Sequence, residues 1–324
     1  MIERIKTTHM TRKEWLLERR KSVGGSEVGA ILGLNQWASP YSVWANKTGR
    51  APDAVPNEAM RQGTDLEAYV AKRFSEKSGL KVERDNAIIR NSDFPHLHAN
   101  IDRRIVGMRA GLECKTASAL SASRFSGGNF PASYYAQCVA YMAVTGYHTF
   151  YLAVLVLGKE FKIFRMTRNQ GAELPEWCES SVYVSDGELQ AVRDAVTEFW
   201  RYVEQDVEPP IDGLEATTDA LEAVYAESAD GSVDLWDVDD NMRQYLRLKE
   251  KIKKLKDEQN ACANTIKHRL GEATHGSGQH YMATWSPQKR KNFDVGRFTQ
   301  DHPEIDINNY YSYTTIRRFG VKEI

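Results

Sequence analysis

The sequence is poor in cysteine and has no long apolar run. Its four cysteines, Cys114, Cys138, Cys178 and Cys262, contain no Cys-x-x-Cys pair, so neither a disulfide framework, a zinc site nor an iron-sulfur cluster is indicated. No apolar stretch approaches the length of a transmembrane helix, and the start, Met-Ile-Glu-Arg-Ile-Lys, lacks the apolar segment of a secretory signal. We therefore expect a soluble globular protein that acts in the cytoplasm and has no membrane partner.

The chain also has little net charge, −1, but its charges are segregated. Residues 1–171 carry 25 Lys or Arg against 15 Asp or Glu, residues 172–240 carry 2 against 20, and residues 241–324 carry 16 against 9. A basic first segment is suited to a polyanion, because phosphate contacts supply most of the affinity of a nucleic-acid binder. The alternative is a basic face that contacts only solvent, and charge alone does not decide between them.

Hydrophobic periodicity predicts helices on both sides of a group of strands. The predicted helices span 11–20, 27–32, 40–49, 57–79, 131–145 and 186–208. The predicted strands span 81–90, 96–106, 110–116, 150–157 and 160–166. Ser26 is expected to cap the second helix. This order of elements predicts an α/β protein whose mixed central β-sheet is flanked by helices.

The last third of the chain has a different character. Residues 1–210 are expected to form the core, 211–240 an acidic linker or short helices, and 241–324 a C-terminal extension. In the extension, apolar and small polar residues repeat at alternating spacings of three and four from Tyr245 to Ile266, which is a heptad pattern. A helical hairpin within the chain is favoured over an intermolecular coiled coil. Short strands are expected at 280–286 and 310–319.

Acidic and basic residues suited to metal-dependent phosphodiester chemistry lie close together in the predicted sheet. Glu113 and Lys115 are two apart, so on a strand both side chains leave the same face, where Asp102 on an adjacent strand can meet them. Carboxylate oxygens are the hard ligands that Mg²⁺ accepts, and a lysine can orient a water or offset phosphate charge. The alternative for Glu113 is a cross-strand ion pair with Arg103 or Arg104.

Several motifs in order extend this pattern and resemble the lambda-exonuclease/YqaJ family of phage recombination nucleases, a branch of the PD-(D/E)xK superfamily. The resemblance covers roughly residues 11–205. The motifs are Trp15-x3-Arg19, Gly24-Gly25-Ser26-Glu27, Gly63-Thr-Asp-Leu-Glu67, Asp102, Glu113-Cys114-Lys115 and Gln137-x3-Tyr141. Ile101 stands where the family name has proline. The resemblance implies a restriction-endonuclease-like core.

The resemblance also implies a metal site and catalytic residues. Mg²⁺, or alternatively Mn²⁺, would be held by Asp102, Glu113 and the backbone carbonyl of Cys114, with Glu67 helping directly or through water. Lys115 would assist the attacking water, and Gln137 would contact that water or the scissile phosphate. The alternatives are a solvent-exposed helix glutamate for Glu67 and a surface aspartate for Asp102. The Cys114 side chain is expected on the opposite face, in the core.

A second cluster is implied to contact DNA. By the resemblance, Arg19 and Ser26 would anchor the 5′ phosphate of the degraded strand, and Arg20 would share or replace this role. The family often has aspartate where Glu27 stands, which leaves the role of Glu27 open. Tyr141 is equally compatible with a DNA contact and with a core position.

The function implied is that of a metal-dependent exonuclease acting on double-stranded DNA ends. It would work 5′→3′ and leave 3′ single-stranded tails for phage-type recombination, together with a single-strand annealing protein and as a homo-oligomer, by resemblance a trimer, inside a bacterial host. The alternatives are a structure-selective DNA endonuclease of the same superfamily and a non-catalytic DNA-binding or interaction protein that retains the fold.

Overall fold

A computed structural model describes residues 1–53, 55–228, 230–312 and 317–322. Its contacts divide the chain into a first unit, Met1–Ala226, and a second unit, Glu227–Ile324. Every buried residue among the described ones lies in the first unit. The first unit therefore holds the hydrophobic core.

Among the described residues of the first unit, four helices begin at a residue whose side chain caps them, and two end at a left-handed glycine. The helices of this unit are α1 (Arg12–Arg20), α2 (Gly25–Ile31), α3 (Pro40–Lys47), α4 (Glu58–Ser78), α5 (Ala132–Thr145), α6 (Asp186–Glu204) and α7 (Glu215–Val224). Thr11 and Glu14 form a capping box at the start of α1, as predicted. Gly79, at φ +74°, ends α4 in the left-handed conformation that glycine adopts without steric cost.

The strands of the first unit form two sheets. They are β1 (Ile2–Lys6), β2 (Val23–Gly24), β3 (Val82–Arg84), β4 (Ala87–Asn91), β5 (Phe94–Ala99), β6 (Arg103–Ile105), β7 (Ala110–Ala117), β8 (Thr149–Val156), β9 (Glu160–Thr167) and β10 (Ser180–Tyr183). One sheet has the order β1-β4-β5-β2 and the other the order β10-β9-β8-β7-β6-β3. The larger sheet is mixed: β7 pairs with β8 in parallel and with β6 in antiparallel fashion.

Helix α5 connects the parallel strands β7 and β8. Parallel neighbours need a crossover, which here places α5 against one face of the larger sheet while α4 covers β7 from the other. Two buried clusters follow the alternation of side chains: Phe150 and Leu152 join the α5 cluster, and Tyr151 and Ala153 join the α4 cluster. The α/β class, with a mixed central sheet between helices, is confirmed.

Two predicted strands are wrong as continuous elements, because the chain changes sheets within each of them. Strand 81–90 is divided into β3 in the larger sheet and β4 in the smaller one. Strand 96–106 is divided into β5 in the smaller sheet and β6 in the larger one. Asp102 consequently lies in the bend between the two sheets, immediately before β6, rather than within a strand. Strand β1 was not predicted.

The N-cap of α2 also differs from the prediction. Gly24 occupies the cap position and Ser26 lies in the first turn, while the Glu27 carboxylate accepts a hydrogen bond from the Gly24 N–H at 2.6 Å. The glutamate at the third helical position thus bonds the N–H of the cap residue, and Ser26, at the second helical position, does not act as the cap. The Ser26 hydroxyl is thereby left for another partner.

The first unit extends into the predicted acidic linker. Helix α7 packs on α3, and the hydroxyl groups of Thr217, which is 1% exposed, and Ser39 are hydrogen-bonded at 2.7 Å. The proposed division at 210 and 240 remains a prediction. Across the described ranges, no helix is long and apolar enough to cross a membrane.

The second unit is built on a long helix. Its elements are α8 (Asp239–Leu270), β11 (His275–Ser277), β12 (Met282–Thr284) and α9 (Val295–Asp301). β11 and β12 form an antiparallel hairpin, which includes part of the strand predicted at 280–286. Residues 313–316 of the strand predicted at 310–319 lie outside the described residues, and the described remainder is not in a strand. Within the described unit, no second helix packs along α8, so the predicted helical hairpin is wrong.

Candidate active site

Glu113 is a buried charged residue of the larger sheet. Strand β7 directs Glu113 and Lys115 toward α5, and the Glu113 Oε1 atom accepts hydrogen bonds from Gln137 Nε2 at 2.7 Å and Lys115 Nζ at 2.6 Å. Glu113 is 3% exposed, and its Oε2 atom is buried without a hydrogen-bond partner among the described residues. The predicted alternative, an ion pair of Glu113 with Arg103 or Arg104, is therefore wrong.

The Asp102 side chain is bonded to the backbone of strand β7. Its Oδ2 atom accepts a hydrogen bond from the Cys114 N–H at 2.8 Å, which fixes the carboxylate beside Glu113 and the Cys114 peptide. Burial, and then the charge of Glu113, raises the pKa of Asp102 well above its ordinary value. Two buried carboxylates that repel each other are an arrangement that a bound cation would stabilise.

Lys115 compensates part of this negative charge. Burial alone would lower its pKa, but the neighbouring carboxylates of Glu113 and Asp102 raise it, so the ammonium group stays protonated. The Nζ atom lies 5.2 Å from the centre of the Tyr134 ring on α5. Cys114 lies between Glu113 and Lys115 on β7, and its side chain packs against the α4 cluster on the opposite face of the sheet, as predicted.

Glu67 on α4 lines the same cavity as Asp102 and Glu113 but is bonded elsewhere. Its Oε1 atom accepts hydrogen bonds from Arg103 and, at 3.4 Å, from Arg84. Arg103 also donates to the Asp102 carbonyl oxygen at 2.7 Å. Arg103 was not assigned this role from the sequence, although its place next to Asp102 on a short strand was a usable signal.

Arg19 and Ser26 meet on the other side of the site. Arg19 Nη2 donates to the Ser26 Oγ at 3.3 Å, and the guanidinium stacks on the Trp15 ring at 4.6 Å from its centre. Both residues line a cavity of about 220 Å³ that Asp102, Glu113 and Gln137 also line. The structure therefore brings the implied phosphate-binding pair and two of the implied metal ligands, Asp102 and Glu113, to one cavity.

Tyr141 also lines this cavity, one helical turn after Gln137. Its hydroxyl accepts a hydrogen bond from Gln137 Nε2 at 2.7 Å, and the residue is 3% exposed. A Cβ atom on Gly25 would lie 2.5 Å from the Tyr141 ring. Glycine at position 25 thus permits the start of α2 to approach α5 closely enough to form the cavity.

Arg20 and Glu27, which were implied to contact DNA, are bonded to other residues of the protein. Arg20 forms an ion pair with Asp53 at 2.7 Å and lines neither cavity of the site. Glu27 Oε2 accepts from Gly24 and forms an ion pair with Lys47 Nζ at 2.6 Å. In this structure Glu27 bonds the backbone of the site at Gly24, and Arg20 is engaged by the Asp53 side chain.

Three residues that the sequence did not indicate surround the Arg19–Ser26 pair. Lys47, whose side chain is 1% exposed, donates to the Arg19 carbonyl oxygen at 3.1 Å as well as pairing with Glu27. His98 is fully buried, bonds to Ser22 through Nδ1 at 2.8 Å, and has a pKa well below its ordinary value because of burial and the nearby charge of Arg19. Asn100 lines the smaller cavity, and its Oδ1 atom is buried without a described partner. An asparagine two positions before Asp102 was the available signal.

A larger cavity, of about 920 Å³, opens beside the smaller one. It is lined by basic and acidic side chains together, among them Arg12, Arg19, Arg61, Glu67, Asp102, Glu113 and Lys115. Among the described residues, no three His, Cys, Asp or Glu side chains are grouped closely enough to hold a metal ion by themselves. Two carboxylates and a backbone carbonyl nevertheless fit Mg²⁺, which commonly takes only one or two carboxylates and keeps several waters.

Known proteins of similar sequence identify the family of this chain. The family model described as the YqaJ-like viral recombinase domain matches residues 14–148. The YqaJ protein of Bacillus subtilis strain 168 is 35% identical over 325 residues, which cover 98% of this chain and 97% of that protein. The chain belongs to the YqaJ-like viral recombinase family.

Two solved structures of exonucleases are also similar. An alkaline exonuclease from Laribacter hongkongensis, LHK-Exo, matches with 17% identity and a TM-score of 0.48, covering 60% of this chain and 93% of that one. A phage-related exonuclease from Haemophilus somnus 129PT matches with 10% identity and a TM-score of 0.41, covering 57% and 94%.

Proposed function

We propose that this protein is a metal-dependent deoxyribonuclease that degrades duplex DNA from its ends, 5′→3′, and leaves 3′ single-stranded tails for recombination by strand annealing. The observation that carries the proposal is the meeting of Asp102, Glu113 and Lys115 at one cavity, where the Glu113 Oε2 atom is buried without a described partner. Membership of a viral recombinase family supports a role on DNA during recombination.

The metal would be held by Asp102, Glu113 and the Cys114 carbonyl oxygen, with Mg²⁺ as the proposed ion and Mn²⁺ as the alternative. When bound, such an ion supplies Lewis-acid stabilisation of phosphate charge and lowers the pKa of a bound water. The protein's own part is to keep the ligands in place: Gln137 and Lys115 bond one oxygen of Glu113, and the Cys114 N–H bonds one oxygen of Asp102. Glu67 remains a proposed further ligand, which would first have to leave Arg103.

Lys115 and Gln137 would act on the reacting groups. The Lys115 ammonium is protonated and stands beside the carboxylates, where it would orient the attacking water and offset charge on the phosphate in the transition state. The Gln137 amide, one helical turn from Tyr141, would contact the water or the scissile phosphate from the opposite side. Lys115 lines the larger cavity and Gln137 the smaller one, and Asp102 and Glu113 line both, so both roles require that the scissile phosphate lie beside these two carboxylates.

The dependence on DNA ends is proposed from the Arg19–Ser26 pair. An arginine fork and a hydroxyl beside the first N–H groups of α2 are suited to a terminal phosphate, and they line the same cavity as Glu113. A phosphate held there would place the next phosphodiester bond near the carboxylates. Arg20 and Glu27 would support this pocket through their ion pairs rather than by contact with DNA.

The test is a time course with end-labelled linear duplex and covalently closed circular duplex, with and without Mg²⁺. We expect mononucleotide release from 5′-phosphorylated linear ends only, and a loss of at least about a hundredfold in Lys115→Ala. Lys21→Ala, which changes an exposed lysine outside both cavities, is the matched control. Cleavage of closed circles would favour the structure-selective endonuclease, and full activity in Lys115→Ala would rule out the assigned site.

Binding separates a catalytic protein from one that only holds DNA. Arg19→Ala should weaken discrimination between 5′-phosphorylated and 5′-hydroxyl ends while Mg²⁺ still stabilises the protein against heat. A non-catalytic DNA-binding protein would bind ends without any dependence on Asp102 or Glu113.

We further propose a single-strand annealing protein as partner, assembly as a homo-oligomer, by resemblance a trimer, and action in the cytoplasm of a bacterial host. Light scattering on the intact chain tests the assembly.

A further inference from the structure

Helix α8 carries an uncovered apolar stripe along most of its length. The stripe repeats at alternating spacings of three and four residues, which is the seam of a coiled coil. Its large members are Tyr245, Leu248, Ile252, Leu255 and Ile266, between 41% and 66% exposed. Gln259 and Cys262, both exposed, continue the repeat between them. A single helix with such a stripe in water is typical of a surface that another helix covers.

The described part of the second unit covers only the ends of this stripe. The Phe319 ring meets Tyr245 edge-on, with ring centres 5.4 Å apart. At the other end, the β11–β12 hairpin lies against Ile266 and Leu270. The middle of the stripe, Ile252 and Leu255, is 66% and 53% exposed. The uncovered length between these contacts is more than two helical turns.

The charges beside the stripe have one dominant sign. The positions that flank a heptad seam are occupied by Lys249, Lys251 and Lys256, with Glu258 as the single acidic residue among them. The acidic residues Glu250 and Asp257 lie at the position opposite the seam. Flanking positions in a coiled coil select the partner, because like charges facing each other across the seam repel.

We propose that this stripe binds an acidic amphipathic helix of a partner protein, with apolar residues at the same spacing and Glu or Asp beside them. The lysines match such a helix, whereas two copies of this chain side by side in parallel would place Lys251 of one against Lys256 of the other. DNA would satisfy the lysines but would leave the exposed apolar residues without a partner. The inference concerns a surface outside the candidate active site and does not depend on nuclease activity.

The binding experiment uses the intact chain and two synthetic four-heptad peptides. Both peptides carry Ile and Leu at the seam positions; one has Glu at every flanking position and the other has Lys. We expect the Glu peptide to bind and the Lys peptide to bind at least about tenfold more weakly, as measured by fluorescence anisotropy. Equal affinity for the two peptides, or no binding of either, would overturn the proposal.

Variants of α8 locate the binding to the stripe. Ile252→Gln with Leu255→Gln should weaken Glu-peptide binding by about tenfold or more, since two apolar side chains lose their burial. Glu250→Gln with Asp257→Gln, on the opposite face, is the matched control and should bind as the unmodified chain does. Replacing Lys249, Lys251 and Lys256 by Glu should reverse the preference between peptides. Glutamine favours helix, and circular dichroism verifies that α8 persists.

Two other occupants give distinct results. If light scattering shows an oligomer that Ile252→Gln with Leu255→Gln dissociates, the stripe pairs with a second copy and the proposal is wrong. If the same variant loses affinity for a short DNA duplex and neither peptide binds, the surface belongs to nucleic acid and the proposal is equally wrong. Peptide selectivity together with unchanged oligomeric state and DNA affinity supports it.

Discussion

The position of the Glu113 carboxylate in the candidate active site depends on single residues around it. Tyr141 accepts from Gln137, and Gln137 donates to Glu113, so the Tyr141 ring determines where the Glu113 carboxylate is held. The ring has this place only because position 25 has no side chain. The sequence motif contains Gly25, but the reason for glycine there is a contact with a residue more than a hundred positions away.

Gly25→Ala should therefore destabilise the protein. The new Cβ atom would lie 2.5 Å and 2.7 Å from two ring atoms of Tyr141, which is buried and cannot move aside freely. Overpacking of this kind costs about 1–3 kcal/mol in the free energy of unfolding. Urea denaturation measures the change, and cleavage should fall because Gln137 shifts with the ring.

Gly63→Ala is the matched control for that prediction. Gly63 lies within α4, and the nearest atom to its added Cβ would be Thr116 Oγ1 at 3.5 Å, an ordinary contact. Alanine there should stabilise the helix by up to about 1 kcal/mol. Equal effects of the two substitutions would contradict the role assigned to Gly25.

At the scale of elements, the candidate site depends on how α1, α2 and α3 are joined. Lys47 at the end of α3 is the common partner: it pairs with Glu27 of α2 and donates to the carbonyl oxygen of Arg19 in α1. Burial lowers the pKa of Lys47, and Glu27 opposes that shift. We call these contacts of Lys47 with Glu27 and with the Arg19 carbonyl oxygen the Lys47 joint. The joint fixes Arg19 and Ser26 relative to each other without using the side chain of either.

Lys47→Met should break this joint while it keeps the volume of the side chain. We expect a loss of about 3 kcal/mol in the free energy of unfolding, because removing one partner of a buried ion pair leaves the other uncompensated. Preference for 5′-phosphorylated ends should fall with it. Both effects are measurable on one preparation, by denaturation and by competition between the two kinds of end.

Lys21→Met serves as the comparison. Lys21 pairs with Glu18 at 2.6 Å, but its side chain is 63% exposed, and surface pairs of this kind contribute at most about 1 kcal/mol. A loss in Lys47→Met no larger than in Lys21→Met would show that the buried pair does not hold the joint.

At the scale of the whole molecule, the two units differ in how they are stabilised. The buried residues of the described chain all precede Ala226, and α8 has none. Helix α7 belongs to the first unit through Thr217 and Ala220, which are 1% and 7% exposed. The stability of the first unit should therefore be independent of the second unit but not of α7.

A truncated chain of residues 1–226 should unfold cooperatively, with a Tm close to that of the intact protein. A chain of residues 1–214 lacks α7 and uncovers the α3 surface on which it packs, so its Tm should fall by roughly 5 °C or more. Calorimetry on the three proteins makes the comparison. Equal Tm values for both truncations would mean that α7 is not part of the core.

The sequence by itself determined the elements that depend on neighbours along the chain. The capping box of α1, the glycine end of α4, the β8–β9 hairpin and the Glu113–Lys115 pair follow from local spacing, because helix and strand periods fix which side chains share a face. For that reason the α/β class and the family were accessible from motifs in order, before any contact was known.

The tertiary structure decided what depends on residues far apart. Alternation in a strand is the same whichever sheet the strand joins, so the sequence could not show that the chain changes sheets before Asp102. Nor could it show that Arg20 pairs with Asp53, that Glu67 pairs with Arg103, or that Lys47 joins three helices. Charged side chains are long and flexible, and which partner each one reaches is settled only when folding brings distant segments together.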